Sequence, residues 1–466
     1  MGNYYLAIDI GASSGRHILG SIENGKMVLE EIYRFENGMK KKDGHLCWDV
    51  NALFNEIKTG ISRCKQIGKI PVTMGIDTWA VDYVLLDHEN HILGETYGYR
   101  DKRTTGMDDK VYEIIPLEEL YARTGIQKQI FNTIYQLMAV KLQTPILMQR
   151  ATDFLMLPDY FHFLLTGNKV SEYTNATSTQ LVNPDTKEWD YDLIQKLGFQ
   201  KKMFRPLSMP GTSVGRFSDE IREEVGFDCE VVLPATHDTG SAVLAVPAKE
   251  DDFLYISSGT WSLMGIEAKQ ANCSVECMQA NFTNEGGYEY RFRFLKNIMG
   301  LWMIQSVRHE LDDHYSFAKL CELAEEVHDF PSRVDVNASC FLAPDNMTEE
   351  IKRYCEKTGQ QIPKTVGEIA TVIYQSLSES YADTVKEIEK ITGKSYDAIY
   401  IVGGGSNAEY LNQLTAEKTG KRVYAGPGEA TAIGNITAQM LAGKEFSDVK
   451  SARACIYCSF EIKEIK

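Results

Sequence analysis

No run of about 18 uninterrupted apolar residues occurs in this chain of 466, so no segment has the length and polarity of a membrane-spanning helix. The start lacks the basic flank and apolar core of a secretory signal: Met1-Gly2-Asn3-Tyr4-Tyr5-Leu6 runs directly into a strand pattern. Gly2 is in place for myristoylation, but position 6 is Leu rather than Ser or Thr, so that signal fails as well. Positive charge is also short, with 49 Lys and Arg against 65 Asp and Glu and a formal net charge of -16. That argues against a nucleic-acid-binding surface or an anionic-membrane surface, since both need clustered positive charge. It does not argue against a nucleotide, whose site is decided by a few local donors. Cysteine patterns for zinc are missing too. The ten cysteines are scattered, Cys455 and Cys458 form the only CxxC, and neither that pair nor Cys273 and Cys277 has a second Cys/His pair beside it. These absences predict free thiols in a reducing, cytoplasmic setting, with no targeting segment.

What is present is ordinary globular material, 43% hydrophobic and 24% charged, in a chain long enough for two domains. The chain is organised around residues 231–246. Val231-Val232-Leu233 reads as a buried strand ending at Pro234, Thr236-His237-Asp238-Thr239-Gly240 as a polar turn, and Ser241 as the entry to a small-residue apolar helix. A carboxylate at a strand-to-helix turn can sit in a cleft beside a helix N-terminus, where phosphates are held in α/β proteins. Asp238 therefore has two readings here, a general base for phosphoryl transfer or an N-cap of the following helix.

Residues 4–10 read as a strand interrupted by Asp9, followed by the small-residue turn Gly11-Ala12-Ser13-Ser14-Gly15 and a second strand from Arg16. Asn24-Gly25 signals another hairpin turn into a third strand, 27–35. The pattern recurs at 253–266, with the turn Ser257-Ser258-Gly259-Thr260 between two apolar strands. Two similar hairpins, each opening one half of the chain, predict a duplicated architecture with a ligand cleft between the halves, divided as 1–245 and 246–466. The backbone N–H groups and hydroxyls of such turns can close around phosphate oxygens.

Between the hairpins, 48–65 has helical spacing and 72–77 is a strand leading to Thr78-Trp79-Ala80-Val81-Asp82-Tyr83, polar and aromatic groups that suit a sugar. The charged run 99–104 reads either as pocket lining or as a solvated loop. Residues 154–166 read as a helix with Gly167 as C-cap, and 172–179 as a polar loop. In the second half, 300–308 and 369–392 read as helices and 398–402 as a buried strand ending in Gly403-Gly404-Gly405. A helix over 409–419 and a strand over 422–425 follow, and a last main helix opens after Gly426-Pro427-Gly428. Three glycines at a buried strand end allow close backbone approach by a ligand such as adenosine.

Taken together these features resemble the actin-like ATPase superfamily and, within it, the FGGY family of carbohydrate kinases, over nearly the whole chain. The resemblance rests on Asp9-Ile10-Gly11-Ala12-Ser13-Ser14-Gly15-Arg16, Gly75-Ile76-Asp77-Thr78-Trp79-Ala80-Val81-Asp82, Tyr99-Arg100-Asp101, Pro158-Asp159-Tyr160-Phe161, Glu172-Tyr173-Thr174-Asn175-Ala176-Thr177, His237-Asp238-Thr239, Ser257-Ser258-Gly259-Thr260-Trp261 and Leu295-Lys296-Asn297-Ile298-Met299-Gly300-Leu301-Trp302. This set is similar to that of the family's rhamnulose kinases, with Ala80 where Gly is the expected residue.

The resemblance implies an α/β fold of two duplicated actin-like (ribonuclease H-like) domains, the first mainly sugar-binding and the second mainly nucleotide-binding. It implies transfer of the γ-phosphate of ATP to the 1-hydroxyl of L-rhamnulose, with Asp238 as base. His237, Thr239, Asn297 and the backbone at Ala80 are the implied sugar contacts. Ala12, Ser13, Ser14, Gly15, Arg16 and Thr260 are the implied phosphate contacts, Gln305 and Gly404 the nucleotide contacts, and Asp9 the implied Mg²⁺ ligand through water. Another ketose such as L-fuculose, or a non-catalytic sugar sensor, stays open as an alternative. No nucleic acid or membrane partner is expected.

Overall fold

A computed structural model describes residues 2–466. They form two compact units that are discontinuous in sequence: residues 2–245, 268–294 and 431–459 make the first, and residues 246–267, 295–430 and 460–466 the second.

The first unit is built on a six-stranded sheet in the order Ser213–Arg216, Glu230–Val232, Pro71–Thr78, Tyr4–Ile10, Ser14–Glu23, Lys26–Glu36. Tyr4–Ile10 pairs antiparallel with its hairpin partner and parallel with Pro71–Thr78. Buried on both faces, its Leu6, Ile8 and Ile10 pack with Met74 and Ile76 and with Leu53, Ile57 and Ile61 of the helix Val50–Gln66. That helix starts where Asp49 accepts from the Ala52 N–H, and its apolar residues recur at helical spacing on one face.

The helix Ala430–Ala442 returns late in the sequence to the same unit. Its fully buried Asn435 and Gln439 donate to the Gly75 and Leu6 carbonyls of the sheet. A buried amide is retained only where it is bonded, and these bonds tie the late segment to the early strands.

The sheet of the second unit repeats this pattern. Trp261–Ala268, Leu254–Ser258, Ala398–Val402, Arg422–Ala425 and Lys463–Ile465 follow one another with pairings antiparallel, parallel, parallel, antiparallel. In the first unit Ser14–Glu23, Tyr4–Ile10, Pro71–Thr78, Glu230–Val232 and Ser213–Arg216 give the same succession. The duplicated hairpins of the sequence are thus the start of a duplicated sheet topology. The long helix Val366–Thr392 carries a capping box between Thr365 and Glu368 and ends at Gly393, whose φ of 65° suits a residue without Cβ.

Three local expectations change. Residues 154–166 are not one helix: Asp153–Met156 pairs antiparallel with Tyr83–Leu86, and the helix Leu157–Thr166 begins beside Pro158, which is preorganised for a first turn. The polar stretch 172–179 is buried and contains the helix Tyr173–Thr177. The helix Val449–Ser459 and the strand Lys463–Ile465 complete a C-terminal segment in which the sequence reading placed no element.

His17 gives the fold a pH dependence. It is fully buried on the strand Ser14–Glu23 and its Nε2–H donates to the Ile57 carbonyl at 3.1 Å. Burial lowers its pKa from 6.5 to about 4, against the opposing effect of that bond. The unfolded chain then binds the proton more readily, so the stability His17 contributes is present above pH 6.5 and is lost as pH falls toward 4. The unfolding free energy of the wild type minus that of His17→Leu should decline by about 1.4 kcal/mol per pH unit between roughly pH 6 and 4.5. Urea titrations across that range check this, and a flat difference would show that the folded chain accepts a proton on His17.

Candidate active site

Two neighbouring buried strands bring carboxylates together at their ends. Tyr4–Ile10 and Pro71–Thr78 place Asp9 opposite Asp77, and the returning hairpin strand places Arg16 opposite Asp9. Arg16 donates from Nε and Nη2 to Asp9 Oδ2 at 3.0 and 2.8 Å. Asp77 is fully buried, with Oδ2 accepting from Asn435 Nδ2 at 2.5 Å while Oδ1 has no hydrogen-bond partner. Burial first, and the neighbouring Asp9 second, hold the Asp77 carboxyl well above the usual carboxylate range.

Asp238 is electrostatically part of the same group. The N-cap of the helix Asp238–Leu244 is His237, whose side chain makes no capping bond, and Asp238 is the first helical residue. Its Oδ1 accepts from the Thr239 N–H at 2.5 Å and from Thr239 Oγ1 at 3.1 Å. A third of the Asp238 side chain stays open to solvent (33%). Desolvation raises its pKa above the ordinary value, with His237 opposing the shift and Asp9 adding to it. A carboxylate so placed is a stronger base than one in water and can still be reached.

The turn carrying Asp238 is fixed by Glu172, a fully buried residue that the sequence reading left in a polar loop. Glu172 accepts from the Thr174 N–H, Thr174 Oγ1 and the Asn175 N–H at 2.7, 2.7 and 3.0 Å. It also accepts from the Thr236 N–H at 3.1 Å and Thr236 Oγ1 at 2.7 Å. The Thr236 carbonyl in turn accepts from the Thr78 N–H at 3.0 Å. The backbone entering His237 and Asp238 is therefore held from two sides. Next to it, His237 Nδ1 lies 3.0 Å from Arg293 Nη2 and 3.2 Å from Glu285 Oε2. The sequence reading missed this pair. The available signal was a charged Arg293 between Phe292 and Phe294 in an apolar strand.

Ala80 lies at a strained turn. Val81 has a φ of 66°, rare for a β-branched residue. Its carbonyl accepts from Thr133 Oγ1 at 2.7 Å and Gln136 Nε2 at 3.2 Å, which hold the conformation. The flanking polar and aromatic side chains serve this turn. Asp82 accepts from both indoles, Trp48 at 2.6 Å and Trp79 at 2.9 Å, and these side chains are buried. In the first hairpin, Ala12 and Ser13 form the turn, whereas Ser14, Gly15 and Arg16 belong to the strand Ser14–Glu23. A Cβ on Gly15 would meet the Phe35 ring at 2.1 Å, so packing alone requires glycine there.

In the second unit, Thr260 occupies the turn between Leu254–Ser258 and Trp261–Ala268, and its carbonyl accepts from the Trp302 N–H at 3.1 Å. That bond docks the helix Trp302–Glu310, which carries Gln305 one turn in. Asn297 lies on the strand Phe292–Met299 with its side-chain oxygen buried and unpaired. Gly403 and Gly405 pack on Ser258, with added Cβ atoms falling 2.9 Å from its carbonyl oxygen and 1.9 Å from its Oγ. Gly404 between them is exposed and a Cβ there would meet nothing within 4 Å, so no packing inside the protein requires glycine at 404.

Two family models match this chain, the N-terminal domain of the FGGY family of carbohydrate kinases over residues 4–245 and its C-terminal domain over residues 254–443. The chain belongs to the FGGY family of carbohydrate kinases. It is accordingly an ATP-dependent sugar kinase. Among similar FGGY proteins, one named rhamnulokinase from Halalkalibacterium halodurans is 56% identical over 99% of this chain and 98% of its own length. Proteins of the same name from Oceanobacillus iheyensis and Bacillus subtilis are 51% and 45% identical over 98% of this chain and 97% and 94% of theirs.

Solved structures share the fold at lower identity. A gluconate kinase from Lactobacillus acidophilus superposes with a TM-score of 0.79 at 18% identity, covering 100% of this chain and 94% of the other. A glycerol kinase from Plasmodium falciparum with ADP gives 0.76 at 13% identity, with the same coverage of 100% and 94%. The two-domain α/β fold of the actin-like ATPase type expected from the sequence is the fold of these FGGY enzymes.

The Glu172 clamp can be tested by an isosteric change. Glu172→Gln puts an NH₂ where donors converge and should lower the unfolding free energy by about 1–3 kcal/mol per stranded donor. Denaturant unfolding measures it, and a loss under about 0.5 kcal/mol would show that the clamp carries no stability.

Proposed function

We propose that this enzyme transfers the γ-phosphate of ATP to the 1-hydroxyl of L-rhamnulose, giving L-rhamnulose 1-phosphate and ADP in L-rhamnose catabolism. The observation that carries this is the 42–56% identity, over nearly the full length, to proteins named rhamnulokinase.

A sugar hydroxyl attacks phosphorus only as its proton leaves, so a base must stand at the acceptor oxygen. Asp238 takes that role, supported by its raised pKa and its one-third open side chain. His237 and Thr239 bind neighbouring hydroxyls, with the Ala80 backbone and Asn297 as further sugar contacts; the unpaired Asn297 oxygen supports an acceptor role. Ala12, Ser13, Ser14, Gly15, Arg16 and Thr260 take the phosphates, and Gln305 and Gly404 the nucleotide. The open face of Gly404 supports close approach by a flat ligand.

ATP chemistry of this kind implies Mg²⁺. The carboxyl oxygens at the strand ends fit a hard cation, since Asp77 Oδ1 is buried without a partner beside Asp9. Asp9 would hold the ion through water, and the bound ion would neutralise phosphate charge. The ten free cysteines support a reducing, cytoplasmic location.

ADP release with Mg-ATP against L-rhamnulose, L-fuculose, L-ribulose, D-xylulose and glycerol tests the reading. A clear preference for L-rhamnulose is expected; preference for another ketose would move the substrate, and no stimulation by any sugar would overturn the kinase roles. Asp238→Asn keeps the shape and removes the base, so turnover should fall by about 10²–10⁴-fold. A folded, ATP-binding variant of near-normal activity would remove Asp238 from the mechanism.

A further inference from the structure

We propose that the buried Glu285–Arg293 pair positions His237 by deciding which imidazole nitrogen carries the proton, a role that rests on the sugar-kinase reading above. Arg293 is fully buried, and Glu285 and His237 are 5% and 6% exposed. Arginine enters a protein interior only when its charge is answered. Here its Nη1 lies 3.1 Å from Glu285 Oε2, its Nε donates to the Gly286 carbonyl at 2.9 Å, and its Nη2 lies 3.0 Å from His237 Nδ1.

A guanidinium has donors and no acceptor, so Nδ1 must present its lone pair to Arg293. The proton of the neutral ring is then on Nε2. That nitrogen lies 3.4 Å from Asp238 Oδ1, a distance that closes to a hydrogen bond with a small ring rotation. In this tautomer His237 presents a donor toward the proposed base and the sugar oxygens it serves.

Glu285 Oε2, 3.2 Å from the same Nδ1, would by itself draw the proton to the opposite side of the ring. Arg293 overrides it, and Glu285 compensates the Arg293 charge. The pair is also fixed relative to the turn. The Gly286 N–H donates to Thr177 Oγ1 at 2.8 Å, and a Cβ on Gly286 would lie 2.5 Å from the Tyr173 ring. The helix Tyr173–Thr177 thus anchors Gly286, next to Glu285, on one side of His237, and its cap Glu172 anchors Thr236 on the other.

The test is ¹⁵N NMR of protein labelled at histidine, with His237 assigned by its loss in His237→Gln. The wild type should show the neutral Nε2–H pattern. Arg293→Met leaves Glu285 as the partner of Nδ1 and should switch the pattern to Nδ1–H, with kcat on sugar down about 10–100-fold and KM for ATP unchanged. Arg293→Lys, which keeps a donor, should retain the wild-type tautomer. If Arg293→Met does not fold, Arg293→Met/Glu285→Gln removes both buried charges and should fold with a mixed tautomer and the same fall in kcat. A wild-type Nδ1–H pattern overturns the proposal. So does a tautomer unchanged in the Met variants, whatever their activity, because Arg293 would then act only on stability. The NMR result needs no turnover, so a wild type inactive on every sugar would sink the function separately.

Discussion

Glu172 is a carboxylate that water cannot reach, and the first unit is arranged to satisfy it. Five donors from Thr174, Asn175 and Thr236 converge on its two oxygens. Burial still pushes its pKa up, so the bonds reduce the desolvation penalty without cancelling it. The mechanical result is that the helix Tyr173–Thr177 and the backbone before His237 become one piece. The two side chains proposed to act on the sugar, His237 and Asp238, start from an anchored Thr236, so on that proposal they need little further ordering when a substrate arrives.

The same constraint shapes the strand ends. Asp9 and Asp77 stand opposite each other in a buried parallel pair, where two full charges would repel strongly. Arg16 engages Asp9 and Asn435 bonds Asp77, so the pair persists with one carboxyl favoured in its protonated form. Asp238 is raised chiefly by its own desolvation, with Asp9 adding to the shift. Carboxylates gathered at buried strand ends suit the proton acceptance and the cation binding proposed for them.

Small residues divide into two classes once packing is known. Gly15, Gly403 and Gly405 are glycines because Phe35 or Ser258 fills the space a side chain would take. Gly404 faces open space, and Ala12 and Ser13 stay in a turn that is only partly covered. The sequence motif spans both classes, and packing inside the protein dictates glycine only in the first.

The sequence by itself determined the two hairpins, the strands Tyr4–Ile10, Ala398–Val402 and Arg422–Ala425, and the helix Glu409–Thr419, because apolar periodicity and Gly or Asn-Gly punctuation are local properties. The motifs around Asp9, Ala80, Asp238 and Thr260 carried the family. What only the tertiary structure decided is which polar residues are buried. Glu172 and Thr174 look like loop residues in sequence, and Arg293, between Phe292 and Phe294, carries no local sign of its partners. Their roles come from partners distant along the chain, Thr236 for Glu172 and His237 for Arg293, 64 and 56 positions away. A buried charge is stable only with such partners, and no local pattern records them.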